Sequence, residues 1–193
     1  MQRQKSDLKK VLRMLQKEFP NPGAMEIGNP YQNLVAVMLS ARTRDEQVLK
    51  LFPRFLNKFP TVTELAKSNP NKIEGYINSI GMYRQKAKNL HKMAVEIVKR
   101  FNNKIPSTMN ELTTLPGVGR KTASVVLVTS FSRPAIAVDT HVHRVTNRLG
   151  WVKTSTPEKI EETLLRIIPT SSQSSVNRVF VKLGRYICIS GKP

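Results

Sequence analysis

One cysteine in 193 residues excludes an internal disulfide framework and any all-cysteine metal site. No apolar stretch approaches the ~20 residues that span a bilayer, and the opening MQRQKSDLKK lacks the apolar core of a signal peptide. The expectation is therefore a soluble intracellular protein with no membrane partner, cytoplasmic and at the nucleoid in a prokaryote or nuclear in a eukaryote. Acid is scarce as well: 13 Asp and Glu stand against 32 Lys and Arg, a formal net charge of +19. Such an excess opposes compaction by self-repulsion and points to a polyanion as partner. Nucleic acid comes first, with an anionic membrane surface or the ribosome behind it. Hydrophobic residues at 39% are enough for a core and exclude wholesale disorder.

The apolar spacing is helical nearly throughout. Leu8, Val11, Leu12, Leu15 and Phe19 share one face of a helix whose expected cap is Ser6 and whose expected end is Pro20, Pro22 and Gly23. Asn29-Pro30 reads as N-cap and first residue of a buried helix carrying Leu34 to Leu39. Thr43 and Glu46 predict a capping box, and Pro53 predicts a kink or break in the segment that follows. Short helices are expected near Glu64 to Lys67 and Lys72 to Ile80, the second closed by Gly81. Tyr83 to Phe101 reads as a long helix. Ser107 caps a short one ending at Leu115, Arg120 to Phe131 forms another, and Ala135 to Val138 is extended. Asp139 stands at an N-cap, Thr156-Pro157-Glu158 opens the next helix, and Ser175 to Cys188 is the last. The expected fold class is all-α, about ten helices with no linker or repeat.

Chemistry concentrates in two places. In Leu115-Pro-Gly-Val-Gly-Arg-Lys-Thr-Ala123, Gly117 and Gly119 permit positive φ and close approach. The backbone N–H groups of Gly117, Val118, Gly119 and Arg120 would then converge at a helix start, where dipole and unsatisfied donors both favour a phosphate. This reads as a helix-hairpin-helix, about 107–131, that grips a DNA backbone without reading sequence; an ordinary Gly-containing turn is the plain alternative. Lys121 sits in the first turn beside Arg120. It is either an amine nucleophile for a carbon electrophile or one more phosphate contact. Asp139, after Ala137-Val138, is either a structural cap or a carboxylate held at an active site; the two are compatible. His141 and His143, two apart on a helix, diverge and make a poor metal pair. From Arg84 through Lys86, Lys88, Lys92, Lys99 and Arg100 to Lys104, only Glu96 opposes the positive charge, which suggests a DNA-flanking face.

LPGVGRKTA followed by AVDTHVHRVTNRLG closely resembles the helix-hairpin-helix base-excision DNA glycosylases, specifically the endonuclease III group. LSARTRDEQ (Leu39 to Gln47), SIGMYRQKA (Ser79 to Ala87) and LGRYIC (Leu183 to Cys188) extend the resemblance over nearly the whole chain. It implies a two-lobed fold with the active site in the inter-lobe cleft. On that pattern residues 1–28 and 134–193 form a terminal lobe and 29–133 a central lobe carrying the hairpin. Lys121 matches the catalytic lysine and Asp139 the catalytic aspartate. The implied reaction is attack of the Lys121 amine on C1′ of a damaged nucleoside, a Schiff base, and β-elimination 3′ to the abasic site.

The resemblance also implies a monomer acting on double-stranded damaged DNA. Arg42 stands where many bacterial relatives carry a glutamine that fills the space of the flipped nucleotide, and Met82 stands at a leucine wedge. Their alternatives are a phosphate contact and a packed loop residue. Arg84 follows the wedge as a further DNA contact. Typical members hold a 4Fe-4S cluster on a C-x6-C-x2-C-x5-C pattern. Cys188 matches the first ligand alone, so no cofactor can be built from this chain, and the cluster is expected only if the protein continues beyond Pro193. Competing readings are a mismatch-specific DNA glycosylase and a non-catalytic damaged-DNA-binding protein.

Overall fold

The computed structural model describes residues 2–20, 28–154 and 156–191, with side chains in the first helix described from Leu8 onward. Regular structure among these residues is helical: α1 (Gln2–Glu18), α2 (Pro30–Ser40), α3 (Asp45–Lys58), α4 (Val62–Ala66), α5 (Pro70–Ile77) and α6 (Tyr83–Phe101) come first. Then follow α7 (Met109–Thr113), α8 (Arg120–Phe131), α9 (Thr140–Arg148), α10 (Pro157–Ile167) and α11 (Thr170–Tyr186). The chain divides into two compact units, one of Met1–Ala24 with Ser132–Pro193 and one of Met25–Phe131.

In the first unit, Leu8, Leu12 and Leu15 of α1 pack with Val142 and Val145 of α9, Ile160 and Leu164 of α10, and Val176, Val179 and Phe180 of α11. Gln16 Nε2 donates to Ser175 Oγ at 2.8 Å, tying α1 to α11. The α9–α11 approach needs Gly184: a Cβ there would lie 2.6 Å from His141 Nδ1. Helix α1 begins at Gln2, so Ser6 lies within it rather than at its cap. The expected Pro22 and Gly23 stop lies outside the described residues. Helix α11 starts at Thr170, ahead of the expected Ser175, because the first turn is polar and gives no apolar periodicity to read.

In the second unit, α2 runs through the core with Leu34, Val35 and Leu39 buried. Asn29 caps it with Gln32 in a reciprocal capping box. Helix α6 packs against α4, α5 and α2, and α2 packs against α8. At Thr43, Pro53 and Gly81 the structure decides the local readings. Thr43 does not cap α3, whose N-cap is Arg44 without a side-chain bond; the Thr43 hydroxyl instead accepts from Lys86 Nζ. Pro53 stays inside α3, where Phe52 and Phe55 on either side are buried and stacked at 6.3 Å between ring centroids. Gly81 does not adopt the left-handed conformation; Met82 does, at φ 58° and ψ 27°, as N-cap of α6.

Candidate functional site

The hairpin joins α7 to α8. Its cap is Thr108, whose hydroxyl accepts from Glu111 N, one residue later than the expected Ser107. Gly117 has φ +79°, and a Cβ on it would fall 2.8 Å from the Cβ and Nδ2 of Asn89 on α6. Only glycine meets both constraints. Gly119 has no positive φ and open space around it; its carbonyl accepts from Ala123 N and starts α8. Val118 is 5% exposed and its N–H donates to the Leu115 carbonyl, so this residue anchors the hairpin to the core. Arg120 and Lys121 are exposed in the first turn of α8, which contains no acid. Two cations at the positive end of a helix oppose its dipole, an arrangement that an approaching anion relieves.

Asp139 is partly buried at the start of α9, and its Oδ1 accepts from the N–H groups of both His141 and Val142 at 2.9 Å. The segment before it is fixed by Asn177 Nδ2 donating to the Ala137 carbonyl at 2.7 Å. Asp139 is thus a true cap, and the capping bonds hold its carboxylate in one orientation. His141 and His143, two positions apart on α9, are both partly buried; His141 Nδ1 lies 3.1 Å from Arg144 Nη2.

Arg42, Met82 and Gly117 share one small cavity of about 160 Å³, with Met38, Lys86 and Asn89 among its other lining residues. Both Arg42 and Met82 sit at positive φ, 54° and 58°. Arg42 is the third residue of a type II-like turn: Thr43 N donates to Ser40 O at 3.0 Å, and Ala41 has φ −56° and ψ 115°. That position suits glycine, and a side chain there costs roughly 1–2 kcal/mol. Met82 carries the same cost and is 54% exposed, an unusual place for a large apolar side chain.

The sequence places Lys86 on a DNA-flanking basic face. It is buried instead, and its ammonium donates to the Leu39 carbonyl at 2.7 Å and to Thr43 Oγ1 at 2.6 Å. Sequence reasoning missed it because a lysine within a run of lysines carries no sign of burial. Burial lowers its pKa from the usual lysine value. The rest of the face is as expected: Arg84, Lys88, Lys92 and Lys99 are exposed. Arg84 lies 4.0 Å from Glu74 and over the Tyr83 ring, and Arg100 pairs with Glu96 at 3.3 Å.

The residues present do not fit a four-cysteine cluster. Cys188 is the sequence's one cysteine, its sulfur accepts from Arg148 Nη1 at 3.2 Å, and no metal-holding group of three His, Cys, Asp or Glu occurs among the described residues. No helix among the described residues is long and apolar enough to cross a membrane.

Residues 35–170 match the HhH-GPD superfamily base excision DNA repair protein family. Over 186 residues the chain is 41% identical to endonuclease III of Thermotoga maritima, spanning 96% of this chain and 86% of that protein. It is 39% identical over 185 residues to endonuclease III of a Synechocystis species, spanning 95% and 84%. Among solved structures it is similar to a trapped endonuclease III–DNA covalent intermediate, an estranged-adenine complex. The TM-score is 0.88 and the identity 38%, covering 98% of this chain and 90% of that one. With the match running from within α2 through α10, the all-α helix-hairpin-helix fold and the glycosylase pattern of its motifs, the chain belongs to the HhH-GPD superfamily of base excision DNA repair proteins and, within it, to the endonuclease III family.

Proposed function

We propose that this protein excises oxidised pyrimidines from double-stranded DNA and cleaves the strand 3′ to the resulting abasic site, with Lys121 as nucleophile and Asp139 as the assisting carboxylate. The observation that carries the reading is the placement of Lys121: second residue of α8, exposed, directly behind a hairpin whose Gly117 lets the backbone turn tightly. A hairpin that holds the DNA backbone at the start of α8 brings the scissile strand to the same turn that carries the amine.

Attack of Lys121 Nζ on C1′ forms a C–N bond and breaks the glycosidic bond, and the base departs with the electron pair and takes up a proton. Opening of the sugar ring gives the Schiff base. Loss of a C2′ proton then expels the 3′ phosphate, and water releases the lysine. Asp139, oriented by its two capping bonds, handles protons or stabilises the developing cationic sugar. Arg42 and Met82 enter the duplex where the nucleotide leaves, which costs a few kcal/mol of unstacking and is easiest at damaged pairs.

The protein acts as a monomer in the cell interior, on DNA at the nucleoid. Its endonuclease III relatives do not favour a mismatch-specific enzyme or a non-catalytic binder. A panel of duplexes, each with one oxidised pyrimidine, one oxidised purine or one mismatch, tests the substrate class. Nicking confined to the oxidised pyrimidines is expected. Nicking confined to mismatches, or tight binding with no nicking, overturns the proposal.

A further inference from the structure

We propose that Lys86 is the positioning residue for duplex opening, tying the turn that presents Arg42 to the helix start that presents Met82. The inference rests on the reading of Arg42 and Met82 as residues that enter the duplex, and goes beyond it by naming what sets their separation.

One residue touches both strained turns. The Lys86 backbone N–H donates to the Met82 carbonyl at 3.0 Å, the first α-helical bond of α6. Its side chain crosses to the other turn, donating to the Leu39 carbonyl and to the Thr43 hydroxyl. Leu39 is in the last turn of α2, where carbonyls lack partners within the helix. That turn has no basic residue of its own, so Lys86 supplies the cation from α6 that the negative end of the α2 dipole favours. Thr43 closes the turn whose φ-positive residue is Arg42. Neither turn has glycine at its strained position, so each needs outside contacts to hold its geometry. Lys86 gives both the same anchor on the wall of the cavity they share. A buried lysine answered by two neutral acceptors is a costly choice for a merely structural contact. It is suited to a site whose two projecting side chains must keep a fixed spacing while they separate stacked bases.

The test uses the full chain and its Lys86→Met and Thr43→Val variants, which keep side-chain volume and lose the bond. The substrate is a duplex with one oxidised pyrimidine. A matched duplex with 2-aminopurine opposite a non-reactive tetrahydrofuran abasic analogue reports unstacking by fluorescence. Base release falls about tenfold to a hundredfold in Lys86→Met, the scale expected for a misplacement near 1 Å. The unstacking signal falls with it, while affinity for the same duplex stays within about threefold, because phosphate contacts carry it. Thr43→Val shows the same split more weakly, and the double variant is no worse than Lys86→Met alone, as expected for one network.

Base release and unstacking unchanged in both variants would overturn the proposal. So would a parallel loss of affinity, signal and melting temperature, which marks a structural role. Arg42→Ala and Met82→Ala separate the two levels. If they abolish unstacking while Lys86→Met and Thr43→Val do not, only the positioning role fails. If they too leave unstacking intact, the duplex-entry reading fails and takes this inference with it.

Discussion

Gly117 lies so close to Asn89 that an added Cβ would sit 2.8 Å from the Asn89 side chain. This contact docks the hairpin on α6, the helix that Met82 caps and that carries Lys86. The hairpin, Met82 and the Arg42 turn thus all make contact with α6, the last of them through the Lys86 side chain.

Gly117→Ala should therefore cost about 1–3 kcal/mol, combining left-handed strain with displacement of Asn89. Thermal denaturation measures the loss. A filter-binding or anisotropy assay on undamaged duplex should show weakened affinity in the same variant, because the hairpin backbone moves. Gly119→Ala, with open space and no positive φ, should lose far less stability. Equal destabilisation by the two substitutions would contradict the geometry.

At Asp139 the cap and the chemistry separate by substitution. Asn retains an oxygen that can accept from the His141 and Val142 amides, so Asp139→Asn should melt close to the parent while Asp139→Ala loses about 1 kcal/mol. Base release should fall about 10²- to 10⁴-fold in both, the range for loss of a positioned proton-transfer group. Single-turnover kinetics on an oxidised pyrimidine duplex measures this. An active Asp139→Asn protein would leave Asp139 as a cap only.

The basic face predicts a steep salt dependence. The logarithm of affinity for undamaged duplex should fall linearly with the logarithm of salt concentration, with a slope of about −0.9 for each phosphate contacted. Neutralising exposed Lys88 or Lys92 should reduce the slope by about one contact each. Lys86→Met should leave the slope unchanged, since its amine is bonded inside the fold. A flat salt response would remove the electrostatic footprint.

Tyr31 gives a pH dependence of stability. Burial pushes its phenol above the ordinary value near 10, while its hydroxyl donates to the Phe59 carbonyl at 2.8 Å. A group whose folded value is raised contributes fully below its unfolded value and loses that contribution as pH rises past it. Denaturant melts from pH 8 to 11 should show stability falling above about pH 10. Tyr31→Phe should be less stable by about 1 kcal/mol at pH 8 and lose less on the alkaline side. An identical alkaline loss in both proteins would show that Tyr31 is not its source.

Much of this architecture is legible in the sequence where local signals agree. Asn29-Pro30 and the apolar spacing of Tyr83 to Phe101 mark helices at the observed limits, and Asp139 reads as the cap it is. At Thr43 and Pro53 tertiary contacts outweigh a local preference. Thr43 has the spacing of a capping box, but a lysine 43 residues away takes its hydroxyl. Pro53 reads as a kink or break, but α3 runs unbroken across it, with Phe52 and Phe55 buried. Gly81 reads as the residue that closes the preceding helix, but the left-handed conformation falls on Met82 instead. The motifs named Arg42 and Met82 but could not show that they share a cavity or that Lys86 bridges them.

Borohydride reduction distinguishes Lys121 from every other amine as the residue that bonds to C1′. With a duplex containing an abasic site or an oxidised pyrimidine, the parent protein should yield a stable protein–DNA adduct whose cross-linked residue, by peptide mapping, is Lys121. Lys121→Ala should give no adduct while retaining affinity for the same duplex. An adduct that persists in Lys121→Ala, or one mapped to another residue, would contradict the account.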